Sequence, residues 1–533
     1  MKKLFYILSF AAAGIFISGC GKDYLTSLQN NPNSVSGTAA TPQLVLPGTL
    51  TSLAGMVNGD GAFQAEAAWM GYWNYSGGYS YNTNVHNYVM TTSSPAVLYG
   101  SFYSILANVN VIDQSASAVS NMHSYVAIAK ILKAMCYQNL VDYYNDVPYT
   151  QSLQGISNFF PTYDKGSAIY DGTVSQLDTA INLLKAANGN VNETLVSSDD
   201  VMFGGNLTKW LKFANTVKLR ALLRQSAVAS KAAYIQTEIA STASVGYMGL
   251  GGDALVNPGY ANTAGKQNPL YANYGVTPTG GLGGNFNYLR ANGTGVAFFI
   301  NTKDPRLAWV YCAKADQPTS TTYYSPSATP VTANYAGDTL GQQNLQPTKG
   351  SGFGPGIIKA PTQPLVLFSA AEALFLQAEA AYRGWITSGT AATFYAQGIQ
   401  ASFEFLGVGG STSAADGYAA AYSAQTVGVA TNSTWPFTGI AYSSIPAGAN
   451  QLQAILTQKW AALNSVNASE AYSDWRRTGY PVVPLSSSPS LTVTHKPYRY
   501  FYPTEEVNSN TAAWTAGGGA TVDPFATKIF WMP

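Results

Sequence analysis

The chain has 533 residues, with 27 Lys and Arg against 26 Asp and Glu and a net charge of +1. That balance leaves no electrostatic footprint for nucleic acid, so no nucleic-acid partner is expected. Only 10% of residues are charged, where about 25% is usual for soluble proteins, while 13% are aromatic and Tyr alone numbers 36. Uncharged Ser, Thr, Asn, Gln and Gly must therefore carry solubility, which suits an extracellular protein whose ligands are themselves neutral and polar.

"MKKLFYILSFAAAGIFISGC" opens with Lys2 and Lys3 and continues as an apolar run from Leu4 to Ile17. The run is too short for a membrane-spanning helix and reads as a signal peptide, residues 1–19. Ile17-Ser18-Gly19-Cys20 is similar to the bacterial lipobox, so Cys20 is expected to be lipidated, and several acyl chains together anchor a protein firmly. Residues 20–41 are polar and rich in Pro and Asn, a flexible tether. With no hinge or charge block after it, 42–533 reads as one domain.

Helical periods dominate next. The spacing predicts a short helix through "GAFQAEAAWMGYW", with Phe63, Ala67 and Met70 on one side and Trp69 or Met70 toward the core. Longer helices are predicted over Ser124–Tyr144, Ala168–Ala187, Leu207–Ala229, Leu367–Trp385 and Ala391–Leu406, with a last one near Asn450–Trp475. Ile169, Val174, Leu177, Ile181 and Leu184 form the apolar stripe of the second of these, and Gly384 and Gly407 are predicted helix stops. Alanines on "SAAEALFLQAEAAYRGW" facing Tyr and Phe on "AATFYAQGIQASFEFLG" follow the packing logic of tetratricopeptide helix pairs, without a strict 34-residue period. Long Gly/Asn/Tyr-rich stretches near 245–300, 315–360, 408–450 and 483–520 lack any period, and loops of that length are usually functional.

Signatures of catalysis are missing. There is no P-loop, no G-x-S-x-G elbow and no H-E-x-x-H. His86, His123 and His495 stand apart, so neither a metal nor a cofactor is expected, and no catalytic residue is assigned. Asp199-Asp200 and Glu505-Glu506 read as caps or solvated surface. Cys136 and Cys312 allow a disulfide in an oxidising compartment, but nothing in their spacing demands one, and they read first as buried, unpaired small hydrophobes.

Several ordered motifs then converge. "NLVDYYNDVPYTQSL", "FPTYDKGSAIYDGTVSQLDTAINLL", "MFGGNLTKWLKFANTVKLRALLR", "KDPRL", "AAEALFLQAEAAYRGW", "GIQASF", "AYSDWRRTGYP" and "YRYFYPTEEVNSN" follow one another behind the lipobox. In this order they resemble the SusD/RagB-type outer-membrane lipoproteins of Bacteroidetes, in their SusD-like branch. The resemblance implies a mostly α fold of tetratricopeptide-like helix pairs beside a loop-rich second lobe. It implies capture of a glycan, or alternatively of a peptide, and delivery as a lid to a TonB-dependent, SusC-like transporter at the outer membrane, facing the cell exterior. It does not imply catalysis, although a surface glycoside hydrolase needs only two carboxylates brought together in space. The motif residues themselves read as structural: Asn215 and Arg220 bonding loop backbone or carboxylates, and Asp474 with Arg476 and Arg477 tying a helix end to a neighbour.

The ligand is expected at "WMGYWNYSGGYSYNTN", Trp69 to Asn84, which holds six aromatic rings and no charge. From Asn74 onward glycines and serines break the helical spacing, placing Tyr75, Tyr79 and Tyr81 on a loop. An aromatic face attracts the polarised C–H face of a pyranose, and the resembled family commonly presents such rings soon after the first core helix. The expected ligand residues are Trp73, Tyr75, Tyr79 and Tyr81, with Tyr274 and Asn285 from the long Gly/Asn/Tyr loop on the opposite wall.

Overall fold

The computed structural model describes residues 40–59, 65–93, 96–194, 198–314 and 331–533. The signal peptide, Cys20, nearly all of the 20–41 tether and Phe63 lie outside the described residues. Helices dominate: α1 (Pro42–Asn58), α2 (Ala65–Trp69), α3 (Thr83–His86), α4 (Ala96–Ser117), α5 (His123–Tyr144), α6 (Gly166–Ala187), α7 (Leu207–Arg224) and α8 (Ala232–Ser241). They continue with α9 (Pro269–Tyr274), α10 (Gly293–Asn301), α11 (Leu307–Val310), α12 (Ala370–Tyr382), α13 (Ala391–Leu406) and α14 (Thr412–Ser423). The last are α15 (Ala449–Leu463), α16 (Ala468–Thr478), α17 (Thr504–Ser509) and α18 (Thr511–Ala516).

Consecutive long helices pack as pairs: α4 on α5, α5 on α6, α6 on α7, then α12 on α13 and α13 on α14. This is the helix-pair scaffold that the sequence implied. The predicted stripe on α6, Ile169 to Leu184, is buried throughout. Gly398 of α13 shows why the pairs sit so close: a Cβ there would lie 2.9 Å from the Phe375 ring of α12. Gly407 ends α13 in the left-handed region at φ 74°, where glycine meets no steric cost.

Three predicted helices differ from the observed ones. Leu207–Ala229 stops at Arg224, where Gln225 takes up the cap. Leu367 and Phe368 are strand, not helix, because β4 (Leu365–Phe368) pairs antiparallel with β2 (Ala254–Val256). The helix starts only after Ser369, whose side chain accepts a hydrogen bond from the Glu372 N–H, a Ser-x-x-Glu cap. Asn450–Trp475 breaks into α15 and α16, with Ser465 at φ 63° and Asn467 capping the new helix.

A chain this poor in charge buries a concentrated set of it. Arg220 and Arg224 of α7, Lys459 of α15 and Arg477 of α16 pair with Asp142 of α5, Glu372 and Glu379 of α12, and Glu470 and Asp474 of α16. All are buried. The network joins five helices, and the expected Asp474–Arg477 link, 2.9 Å, is one strut of it. Asn215 meets loop backbone as expected, donating to the carbonyls of Thr242 and Gly246. Cys136 is buried with a free thiol, and Cys312 is buried. Asp200 is a cap, accepting from the N–H groups of Met202, Phe203 and Gly205 and from the Trp210 indole.

Candidate functional site

The Trp69–Asn84 stretch divides at Ser76. Everything from Trp69 to Ser76 is buried, and Tyr79 and Tyr81 are each 42% exposed. The division follows from pairing. Residues Trp73–Tyr75 form β1, antiparallel to β3 (Leu289–Ala291) with Trp73 opposite Ala291 and Tyr75 opposite Leu289. Both faces of this two-stranded ribbon are covered, so all three residues of β1 are buried rather than alternate ones.

Three of the expected ligand residues are therefore corrected. Trp73 is fully buried, stacks on Phe353 at 3.8 Å and donates its indole N–H to Ser465 Oγ at 2.8 Å. Tyr274, at the end of α9, is buried against the same Phe353, with ring centroids 4.6 Å apart. It belongs to the core beneath Trp73, not to an opposite wall. Tyr75 is buried too, but it underlies both exposed rings. Its edge meets Tyr288 at 5.2 Å and His86 at 5.7 Å; Tyr288 in turn meets Tyr79 at 5.2 Å, and His86 meets Tyr81 at 4.4 Å. Tyr75 is thus a positioning residue. Asn285 is half-buried, its N–H bonded to the Asn273 carbonyl three residues before Tyr288.

Neutral groups hold the exposed loop in place. Gln343 donates to the carbonyls of Ser76, Tyr79 and Ser80, and its Oε1 accepts from the Asn82 N–H. Tyr81 gives its hydroxyl proton to the Gly341 carbonyl at 2.9 Å. Gly341 sits at φ 92°, and a Cβ there would lie 2.3 Å from the Ser488 nitrogen, so only glycine fits. Asp338 anchors the facing loop by accepting from the N–H groups of Asn344 and Leu345. Along that loop Gln342, Asn344 and Gln346 alternate outward as exposed carboxamides. These three, and Tyr288, escaped the sequence reading. The available signal was the carboxamide run "GQQNLQ" in an aperiodic stretch.

His86 forms the floor of this platform. Asn74 spends its amide N–H groups on the Gln342 and Thr339 carbonyls, so its Oδ1 faces His86 Nε2 as an acceptor at 2.9 Å. Nε2 therefore carries the proton and Nδ1, buried without a partner, is the bare nitrogen. Burial pushes the His86 pKa down to about 4, with Asp338 opposing the shift. The unfolded chain thus takes up a proton before the folded one, so His86 contributes stability present above about pH 6.5 and lost as pH falls through 4. An imidazole NMR titration should give a midpoint near 4 for His86. A midpoint at the ordinary value of about 6.5 would mean the ring is solvated.

A family model described as "Starch-binding associating with outer membrane" matches residues 32–503. The chain belongs to this SusD-like family. SusD-like folds confirm the architecture. A solved SusD-like protein from Bacteroides thetaiotaomicron is 24% identical, with a TM-score of 0.71 over 92% of this chain and 98% of its own. A solved protein described as a chitin-binding protein is 26% identical, with a TM-score of 0.69 over 92% of this chain and 100% of its own. A chitin-binding SusD homologue from Flavobacterium johnsoniae is 22% identical, with a TM-score of 0.70 over 91% and 99%. No curated protein matches the chain. As a SusD-like protein it belongs among carbohydrate- or nutrient-binding proteins associated with the outer membrane. Among the described residues no helix is long and apolar enough to cross a membrane, and no cluster of His, Cys, Asp and Glu is suited to a metal.

Proposed function

We infer that this SusD-like protein captures a neutral glycan on the Tyr79–Tyr81–Tyr288 platform and passes it, as a lid, to a TonB-dependent transporter. The observation that carries the reading is the pair of tyrosines, each 42% exposed, on a charge-free loop in a family described as starch-binding. Exposed rings supply flat faces for pyranose C–H groups, and the carboxamides of Gln342, Asn344 and Gln346 supply both donors and acceptors for the hydroxyl edge. Each ring adds about 0.5–1.5 kcal/mol beyond burial, which gives the weak capture that onward delivery requires.

A calorimetric titration with chitin and maltose oligosaccharides tests this, the first suggested by the 26% identical chitin-binding relative and the second by the family's starch-binding description. Tyr79→Ala with Tyr81→Ala should weaken binding about tenfold or more and leave the melting temperature nearly unchanged. Unaltered affinity in that double variant would remove the platform from the mechanism.

The reading includes a signal peptide over 1–19, a lipid on Cys20, a tether to residue 41 and one domain over 42–533. Cys20→Ala should release the protein from the membrane fraction; firm retention would show that the anchor lies elsewhere. Gentle detergent extraction should recover the protein together with an outer-membrane barrel, and its reproducible recovery alone would count against the lid.

A further inference from the structure

A cavity of about 530 Å³ opens between α4, the loop after α5 and α17. That volume lies within the usual range of small-molecule sites, about 300–1,000 Å³. It shares no lining residue with the tyrosine platform. Tyr99 and Tyr103 of α4 and Phe159 of the loop give it three rings, and Pro148, Pro161 and Pro503 complete its apolar walls.

Its polar groups are hydroxyls of Ser152, Ser509 and two tyrosines, the carboxylates of Glu505 and Glu506, and the Asn510 carboxamide. Asn510 donates its amide N–H groups to the Pro161 carbonyl and to Glu506 Oε1, both at 2.9 Å, which leaves Oδ1 buried without a partner. Tyr99 Oη lies beside the Tyr103 and Tyr163 hydroxyls, of which Tyr103 donates to the Pro148 carbonyl and Tyr163 to Glu506. Both Asn510 and Tyr99 are more than nine-tenths buried, at 4% and 7% exposure. Buried polar atoms are nearly always paired, so the unpaired Asn510 oxygen marks a place where a bound molecule can supply the partner. Glu505 and Glu506 add carboxylate acceptors, and none of the described lining residues is Lys, Arg or His. An anionic ligand would meet repulsion and no compensating cation; a ligand rich in hydroxyls meets carboxylate acceptors and protein hydroxyls that both donate and accept. Phe159 is 67% exposed, with Phe160 at 65% and Ile156 at 87% beside it, an apolar lip that water does not favour.

We propose that this cavity is a second saccharide subsite, selective for uncharged sugars, with the Phe159 ring against the sugar face and Tyr99 and Asn510 bonding its hydroxyls. It rests on the glycan reading above only for the choice of probes. The test uses calorimetric titration of the full chain with N,N′-diacetylchitobiose, maltose and digalacturonate. In the Tyr79→Ala/Tyr81→Ala background, one of the two neutral disaccharides should still bind at one site. Phe159→Ala should weaken that residual binding about tenfold, Tyr99→Phe should weaken it by a smaller factor, and digalacturonate should not bind there. Phe159→Ala alone should leave the platform's binding intact, since the ring is exposed and outside it. No residual binding of either neutral disaccharide, residual binding indifferent to Phe159→Ala, or equal binding of digalacturonate would each overturn the subsite. If the tyrosine variants change nothing while Phe159→Ala abolishes all binding, the platform reading fails and the cavity stands as the saccharide site.

Discussion

Trp73→Ala should cost about 3–5 kcal/mol of stability, the range for removing a buried aromatic from a packed core. The indole is fully buried, stacked on Phe353 and edge-on to Tyr311 at 5.2 Å, and its N–H holds Ser465 Oγ at the break between α15 and α16. Truncation leaves a cavity in the middle of the β1–β3 ribbon and frees a buried serine hydroxyl. The urea midpoint should drop sharply, while Tyr79→Ala, whose ring is 42% exposed, should leave it nearly unmoved. Were Trp73→Ala to melt like the wild type and lose only ligand binding, the ring would have to face the ligand. Tyr75→Ala should show both effects together, because the buried Tyr75 ring supports Tyr288 and, through His86, Tyr81.

Arg477→Met should cost a comparable amount, about 3–5 kcal/mol, because it strands buried carboxylates. The guanidinium contacts Glu379 at 2.5 and 2.7 Å and Asp474 at 2.9 Å, and all three side chains are at most 4% exposed. Met keeps the volume, so the loss is chiefly electrostatic. Burial opposes the Glu379 charge, yet Arg477 and then Arg383 hold its carboxyl down at about 2. A depressed carboxylate pKa contributes stability that is present above about 4.5 and lost as pH falls through 2. The deficit of Arg477→Met should therefore be largest near pH 7 and narrow on acidification below 4.5. Urea midpoints of both proteins at pH 7 and pH 3 read this directly. A gap that stays constant would place the cost in packing instead of charge.

The sequence by itself determined most of the long helices, but not α1 or α4, and α14 lies within the 408–450 stretch that reads as aperiodic. Ala391–Leu406 was legible to the residue because its apolar spacing runs unbroken up to the Gly407 stop. The Asp474–Arg477 link was legible because three-residue spacing on a helix places the two side chains side by side. The exposure of Tyr79 and Tyr81 followed from the glycines and serines around them, which disfavour both helix and strand interiors. The family motifs carried the architecture, since each marks a local turn or helix.

Tertiary structure alone decided which rings are exposed and which are core. Trp73 and Tyr75 differ from Tyr79 only in what lies across from them, and the partner strand β3 is more than two hundred residues further along the chain. Local periodicity reports which side of an element is apolar, but not whether a distant segment covers the other side as well. For the same reason Leu367 and Phe368 read as helix until β2 claimed them for a ribbon, and the burial of Asp142, Glu379 and Arg477 among five helices shows only in the fold. Tyr288, Gln342, Asn344 and Gln346 join the platform through contacts across the fold, which no spacing within their own segments encodes. Burial on two faces is a property of pairs of segments, and only the folded chain brings those pairs together.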